Sequence, residues 1–135
     1  MSNLPIFDVA GSAMQAQSVR LSTVASNLAN ANTISGTAEG AYRAKQPIFS
    51  AEPVATHTEL AGVRVTEVRE SDAQALRRYE PGSPLADAQG YVYAPNIDPV
   101  AQMVDMISAS RSYQANVEVF NSAKELAVAT LNMGR

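Results

Sequence analysis

The segment NIDPVAQMVDMISASRSYQANVEVFNSAKELAVATLNMGR, Asn96 to Arg135, decides the architecture. Asp98 is a good N-cap, because its carboxylate can accept the free N–H groups of a first helical turn. Pro99 follows at the first helical position, where its missing N–H is not needed. No Gly or Pro intervenes before Gly134. The signals predict one helix of about 50 Å at 1.5 Å per residue. Met103, Met106, Ser110, Tyr113, Val117, Phe120, Lys124, Ala127 and Leu131 recur at alternating three and four spacing, the period of a heptad seam.

The opposite end of the chain reads the same way. Phe7, Ala10, Met14, Gln17, Leu21, Val24 and Leu28 alternate by three and four, broken in apolar character only at Gln17. Pro5 suits a first turn and Asp8 lies near the positive end of the helix dipole, so a helix is expected from about Pro5 to Asn30. Two such helices would pair as a coiled-coil-like hairpin once the middle folds back.

Residues 33 to 97 hold five of the seven Gly and show period-two fragments in place of heptads. GVRVTEV alternates Val63 and Val65 against Arg64 and Thr66. ALRRY and YVYAP read as further short strands, and EPGSP and DAQG as turns. A small antiparallel β element flanked by irregular loops is expected, too thin to stand alone and leaning on the helices or on neighbouring molecules. The expected class is mainly α with a small β element, divided into an N-terminal axial helix (1–32), a β-rich and loop middle (33–97) and a C-terminal axial helix (98–135).

Composition agrees. The 135 residues are 46% hydrophobic but only 6% aromatic, without Trp, which favours helix-on-helix packing over a thick core. With 10 basic and 13 acidic residues interspersed, the net charge is −3, which disfavours nucleic-acid and anionic-membrane partners. The absence of cysteine excludes disulfides and thiolate metal sites. The first residues carry neither a basic region nor an uninterrupted apolar run, so no cleaved signal is expected, and no stretch is apolar enough to insert in a membrane.

The chemistry-bearing residues are few. His57 is the lone histidine and reads as a solvated loop residue, since HTEL lacks the second histidine of a zinc helix. GTAEG, Gly36 to Gly40, has no following Lys and no preceding apolar strand, and reads as a flexible connector. Glu70 and Asp72 lie among Arg69, Arg77 and Arg78, a solvated charged loop. No metal, cofactor or catalytic group is expected. An enzyme would need a cleft with convergent titratable groups.

Five stretches carry a family resemblance: IFDVAGSAM (6–14), SNLANANT (26–33), YRAKQPIF (42–49), PGSPLADAQGYV (81–92) and MISASRSYQANVEVFNSAKELAVATL (106–131). Through them nearly the whole chain resembles the flagellar axial proteins, the rod, hook and hook-associated family. SNLANANT and RSYQAN are shared across that family, while YRAKQ, PLADAQGYV and the short length narrow it to the proximal rod type. The resemblance implies a structural subunit of the rod that crosses the periplasm and transmits motor torque, exported through the flagellar type III apparatus without a cleaved signal. Implied partners are copies of itself, other rod proteins and the proteins joining the rod base to the MS ring. A small helical adaptor or export chaperone is the alternative, although it would not need a Gly/Pro-rich β middle.

The family boxes hold the candidate interface residues. Asn27 and Asn30 share a helix face, and an amide that both donates and accepts can bond a related copy of itself in a repeating assembly. Ser26 and Asn32 complete that box, and Asn30 and Asn32 suit a left-handed turn that ends the helix. Arg111, Tyr113, Gln114, Asn116 and Asn121 offer polar groups on the C-terminal helix, and Leu21, Leu28, Val117 and Phe120 offer apolar contact. The plainer alternatives are a solvated Asn27, a capping Asn30 and a seam buried in an internal two-helix core.

Overall fold

The computed structural model describes residues 5–54 and 57–134. Six elements follow in chain order: α1 (Pro5–Asn30), β1 (Lys45–Val54), β2 (His57–Glu70), β3 (Leu76–Tyr79), β4 (Tyr91–Ala94) and α2 (Pro99–Met133). The chain is mainly α, with two small antiparallel sheets in its middle: β1 pairs with β2, and β3 with β4.

Both helices have the expected ends. Asp98 adopts an extended backbone conformation and its carboxylate accepts the Val100 N–H at 2.9 Å, with Pro99 opening α2. α1 closes at Asn30 through two tight turns, the Ala31 N–H to Leu28 O and the Thr33 N–H to Asn30 O. The expected left-handed cap is corrected, since among the described residues only Gly90 has a positive φ. Three-residue turns satisfy the last carbonyls without that conformation.

α1 carries two inward stripes. Its heptad positions are buried at Ala10 and Val24 and half-buried at the other five. A second stripe through Ser12, Ala16, Val19, Thr23 and Asn27 faces the β1–β2 ribbon. The Val63 N–H donates to Ser12 Oγ at 3.1 Å, and Asn27 meets the backbone of Lys45. α1 thus lies between α2 on one side and the ribbon on the other. The helices run antiparallel, because Phe7 meets Phe120 at one end while Asn27 meets Gln102 at the other, with the Arg20–Asp105 ion pair between.

On α2 the predicted seam is only partly inward. Met106, Ser110, Val117, Phe120 and Ala127 are half-buried, but Met103, Tyr113, Lys124 and Leu131 are exposed, and the one fully buried position is Ala109. Apolar residues occupy most of the circumference of α2, so periodicity does not single out a face. Small residues such as Ala109 and Ser112 turn inward and permit close approach to α1.

The ribbon replaces the expected loops over 50–61. β1 was hidden by Pro47 and Pro53, which break the look of a strand yet are tolerated on a ribbon edge. His57 is accordingly the first residue of β2 and not a loop residue. Ala55 and Thr56, in the stretch read as irregular, lie outside the described residues, as do residues 1–4 and Arg135. GTAEG is a hydrogen-bonded turn, with the Gly40 N–H donating to Thr37 Oγ1 and the Thr37 N–H to Ser35 Oγ.

β3 and β4 fall where the alternation placed them, joined by the turn-rich loop 80–90. Ser35 extends this sheet by exchanging two backbone hydrogen bonds with Tyr93. The core is small: among the described residues Val92 and Asn27 are the largest fully buried side chains, and the other buried apolar positions are Ala, Val24 and Pro95.

Candidate assembly interface

The SNLANANT box is built inward. The side chain of Asn27 is 2% exposed and uses its whole hydrogen-bonding capacity. Nδ2 donates to Lys45 O (2.8 Å) and Gln102 Oε1 (3.0 Å). Oδ1 accepts from Lys45 N (2.8 Å) and the Tyr42 hydroxyl (3.1 Å). Because Tyr42 donates to Asn27, the 3.0 Å contact between Ser26 Oγ and Tyr42 is read with Ser26 as donor. Asn27 therefore has no donor or acceptor left for a second copy in this fold, contrary to the role expected for it.

Asn30 also bonds locally, donating to Ser26 O at 2.9 Å, one turn back. Asn116 does the same on α2, donating to Ser112 O at 2.7 Å. Leu21, Leu28, Val117 and Phe120 are half-buried along the helix pair. Asn32, Arg111, Tyr113, Gln114 and Asn121 are exposed. These five are the exposed members of the candidate set, Tyr113 only 37% so.

Sequence reasoning missed an exposed apolar face on α2. Val100, Met103, Val104 and Ile107, spaced as one helix face, are 50–67% exposed on the outer side of α2. A second apolar region lies at the other end of the helix. α1 begins two residues before Phe7, the partner of Phe120, so α2 continues past Pro5 for roughly ten residues. Leu126, Leu131 and Met133 in this overhang are 69%, 73% and 82% exposed. The spacing of Val100, Met103, Val104 and Ile107 was legible in the sequence, but the seam through Met106 competed with it.

Lys45 and Tyr42, also missed, lie within YRAKQPIF, one of the stretches that carried the resemblance. Among the described residues, Asp87 in the β3–β4 loop is the group clearly shifted in pKa. The Tyr91 N–H is the main cause that holds it below the ordinary aspartate value. Partial desolvation opposes this, while the Gln89 N–H, Arg77 and Tyr93 add to it. Its carboxylate accepts both N–H groups at 2.9 Å, which organises a turn and no reaction centre. Among the described residues no group of His, Cys, Asp and Glu could hold a metal, and no helix is long and apolar enough to cross a membrane.

Paired terminal helices with family boxes at both ends are matched by two family models. One, described as flagella basal body rod protein, matches residues 7–34, and the other, flagellar basal body rod FlgEFG protein C-terminal, matches residues 88–133. Relatives named flagellar basal-body rod protein FlgC are 53% identical in Escherichia coli O6:H1 and 52% in Salmonella typhimurium, each over the full length of both chains. Another in Buchnera aphidicola subsp. Acyrthosiphon pisum is 42% identical over 98% of each. The chain belongs to the FlgC family of flagellar basal-body rod proteins. Members of the FlgC family are structural proteins of the rod and not enzymes.

Proposed function

We propose that this chain is a self-assembling subunit of the proximal rod, joining copies of itself and other rod proteins into the helical shaft that carries motor torque across the periplasm. The observation that carries this reading is the exposed apolar face of α2, Val100, Met103, Val104 and Ile107, together with the apolar overhang at its far end. Two unlike patches at opposite ends of one helix suit a heterologous contact, in which one face meets a different face of the next subunit. Repeated without closure, such contacts build an open helix. In the assembly the helix pair tightens into a coiled-coil-like hairpin, with exposed Asn32, Arg111, Tyr113, Gln114 and Asn121 setting register around the apolar contacts. The base of this rod meets the proteins of the MS-ring junction, and the subunit reaches its place through the flagellar type III apparatus.

The test uses cells whose only copy carries Met103→Glu or Ile107→Glu. Both side chains are at least half exposed, so the purified variants should unfold at the wild-type midpoint. Export should proceed while rod completion and swimming fail. Normal swimming would remove the α2 face from the interface, and a complete rod in cells lacking the chain altogether would overturn the structural role.

A further inference from the structure

We propose that Asn27 is a latch that makes docking of the β1–β2 ribbon and pairing of the two helices one cooperative event. The proposal concerns the subunit itself and stands independently of how subunits meet in the rod.

The geometry is that of a peptide mimic. In an antiparallel ladder alternate residues turn their N–H and C=O away from the paired strand. Lys45, opposite Glu70 in the register, is such a residue, and the adjacent ladder bond runs from the Ser71 N–H to Ala44 O at 2.7 Å. Both outward groups of Lys45 are taken by the single carboxamide of Asn27, the N–H by Oδ1 and the C=O by Nδ2, each at 2.8 Å. The side chain closes the first residue of β1 as a neighbouring strand would.

The remaining capacity of the amide reaches elsewhere. Nδ2 also donates to Gln102 in the first turn of α2, and Oδ1 also accepts from Tyr42, which precedes β1. One side chain on α1 is thus bonded to the ribbon and to the other helix together. A planar group with two donors and two acceptor sites is required, and of the side chains with this reach only asparagine has it. Aspartate offers no donor, and leucine offers neither. Because the amide is 2% exposed, withdrawing it from any one element leaves buried polar groups without partners, so the elements separate together or not at all.

A second tether lies about four turns along α1, where Ser12 accepts from Val63. The two together fix the angle at which the ribbon crosses α1. The Asn27 tether alone also engages α2, so it is the one that links that angle to helix pairing.

Hydrogen exchange on the full-length chain tests the latch. In the wild type, amides of β1 and of the central turns of α2 should exchange in step, with one opening free energy. Asn27→Leu keeps the bulk and a helix-compatible side chain but removes all four bonds. In that variant the Lys45 amide and the β1 ladder should exchange about tenfold or more faster, while amides around Ala109 change less, giving two exchange classes. Gln102→Ala, which removes only the α2 corner, is the second variant in case Asn27→Leu does not fold. It should speed exchange in the first turns of α2 and separate them from β1. Two exchange classes already present in the wild type, or undivided exchange in the variants, would overturn the proposal.

Discussion

The amide of Val63 donates to Ser12 Oγ at 3.1 Å, and the same hydroxyl donates to Val9 O at 2.9 Å. This bond draws β2 so near α1 that a Cβ on Gly62 would stand 2.7 Å from the Ser12 oxygen, closer than any real contact, with Ser12 Cβ next at 3.5 Å. Gly62→Ala should therefore destabilise the chain by about 1–3 kcal/mol through forced displacement. Ser12→Ala removes the obstructing oxygen together with its hydrogen bond. The double variant should accordingly be more stable than the sum of the single losses predicts, a positive coupling readable in a denaturant double-mutant cycle. Additive losses would mean that the close approach is not what requires glycine.

Phe7 and Phe120 meet edge to face with ring centroids 4.8 Å apart, at the end of the helix pair away from Asn27. Both rings are only half-buried, so Phe120→Ala should cost less than a fully buried aromatic, about 2 kcal/mol. The check is the urea midpoint at unchanged slope. A loss below about 0.5 kcal/mol would show that the ring matters only to contacts between subunits.

How much of this was legible follows from what each signal encodes. The Asp98–Pro99 start, the Asn30 end and the strands around Arg77 and Val92 are written in local chemistry, where capping, a missing N–H or a period of two suffices. β1 was not, because Pro47 and Pro53 interrupt its pattern, and their tolerance depends on the edge being free, which is a tertiary fact. Asn27 shows a different limit. Its amide announced that donors and acceptors were needed, but the sequence does not say whether the partner is Lys45 of the same chain or a residue of the next. On α2, apolar residues on several faces left the choice of inward face to the small residues Ala109 and Ser112, which a search for large hydrophobes passes over.

Asp87 gives the loop between β3 and β4 a predictable response to acid. Its carboxylate is held below the ordinary value chiefly by the Tyr91 N–H, so the folded chain binds this proton less readily than the unfolded one. The stability it contributes is full above the ordinary aspartate value, about 3.9, and is lost as pH falls through the lower folded value. Asp87→Asn should loosen the turn at neutral pH and flatten the acid dependence of Tyr91 amide exchange. An unchanged acid profile would remove Asp87 as its cause.

Gln17 interrupts the α1 seam, and its Oε1 is buried without a hydrogen-bond partner among the described residues. An orphaned acceptor of this kind is unfavourable, so Gln17→Leu should raise stability by about 1 kcal/mol. The thermal midpoint of the purified chain measures it. A lowered midpoint would mean that the amide has a favourable role in the isolated subunit.

The overhang of α2 should separate folding from assembly most cleanly. Leu126 and Leu131 are 69% and 73% exposed, so neither supports the fold of the lone chain, and Leu131→Ser should shift its stability by no more than about 0.5 kcal/mol. In the proposed rod the same side chain is covered by a neighbour at every copy, so a small defect recurs along the whole shaft. Cells carrying only Leu131→Ser should export the protein at the wild-type level yet complete fewer rods and swim less far in soft agar. The comparison with Phe120→Ala is what makes the measurement decisive, since that change weakens the subunit itself. If Leu131→Ser lowers the urea midpoint as far as Phe120→Ala does, the overhang is packed in the free chain and its apolar face is not reserved for a neighbour.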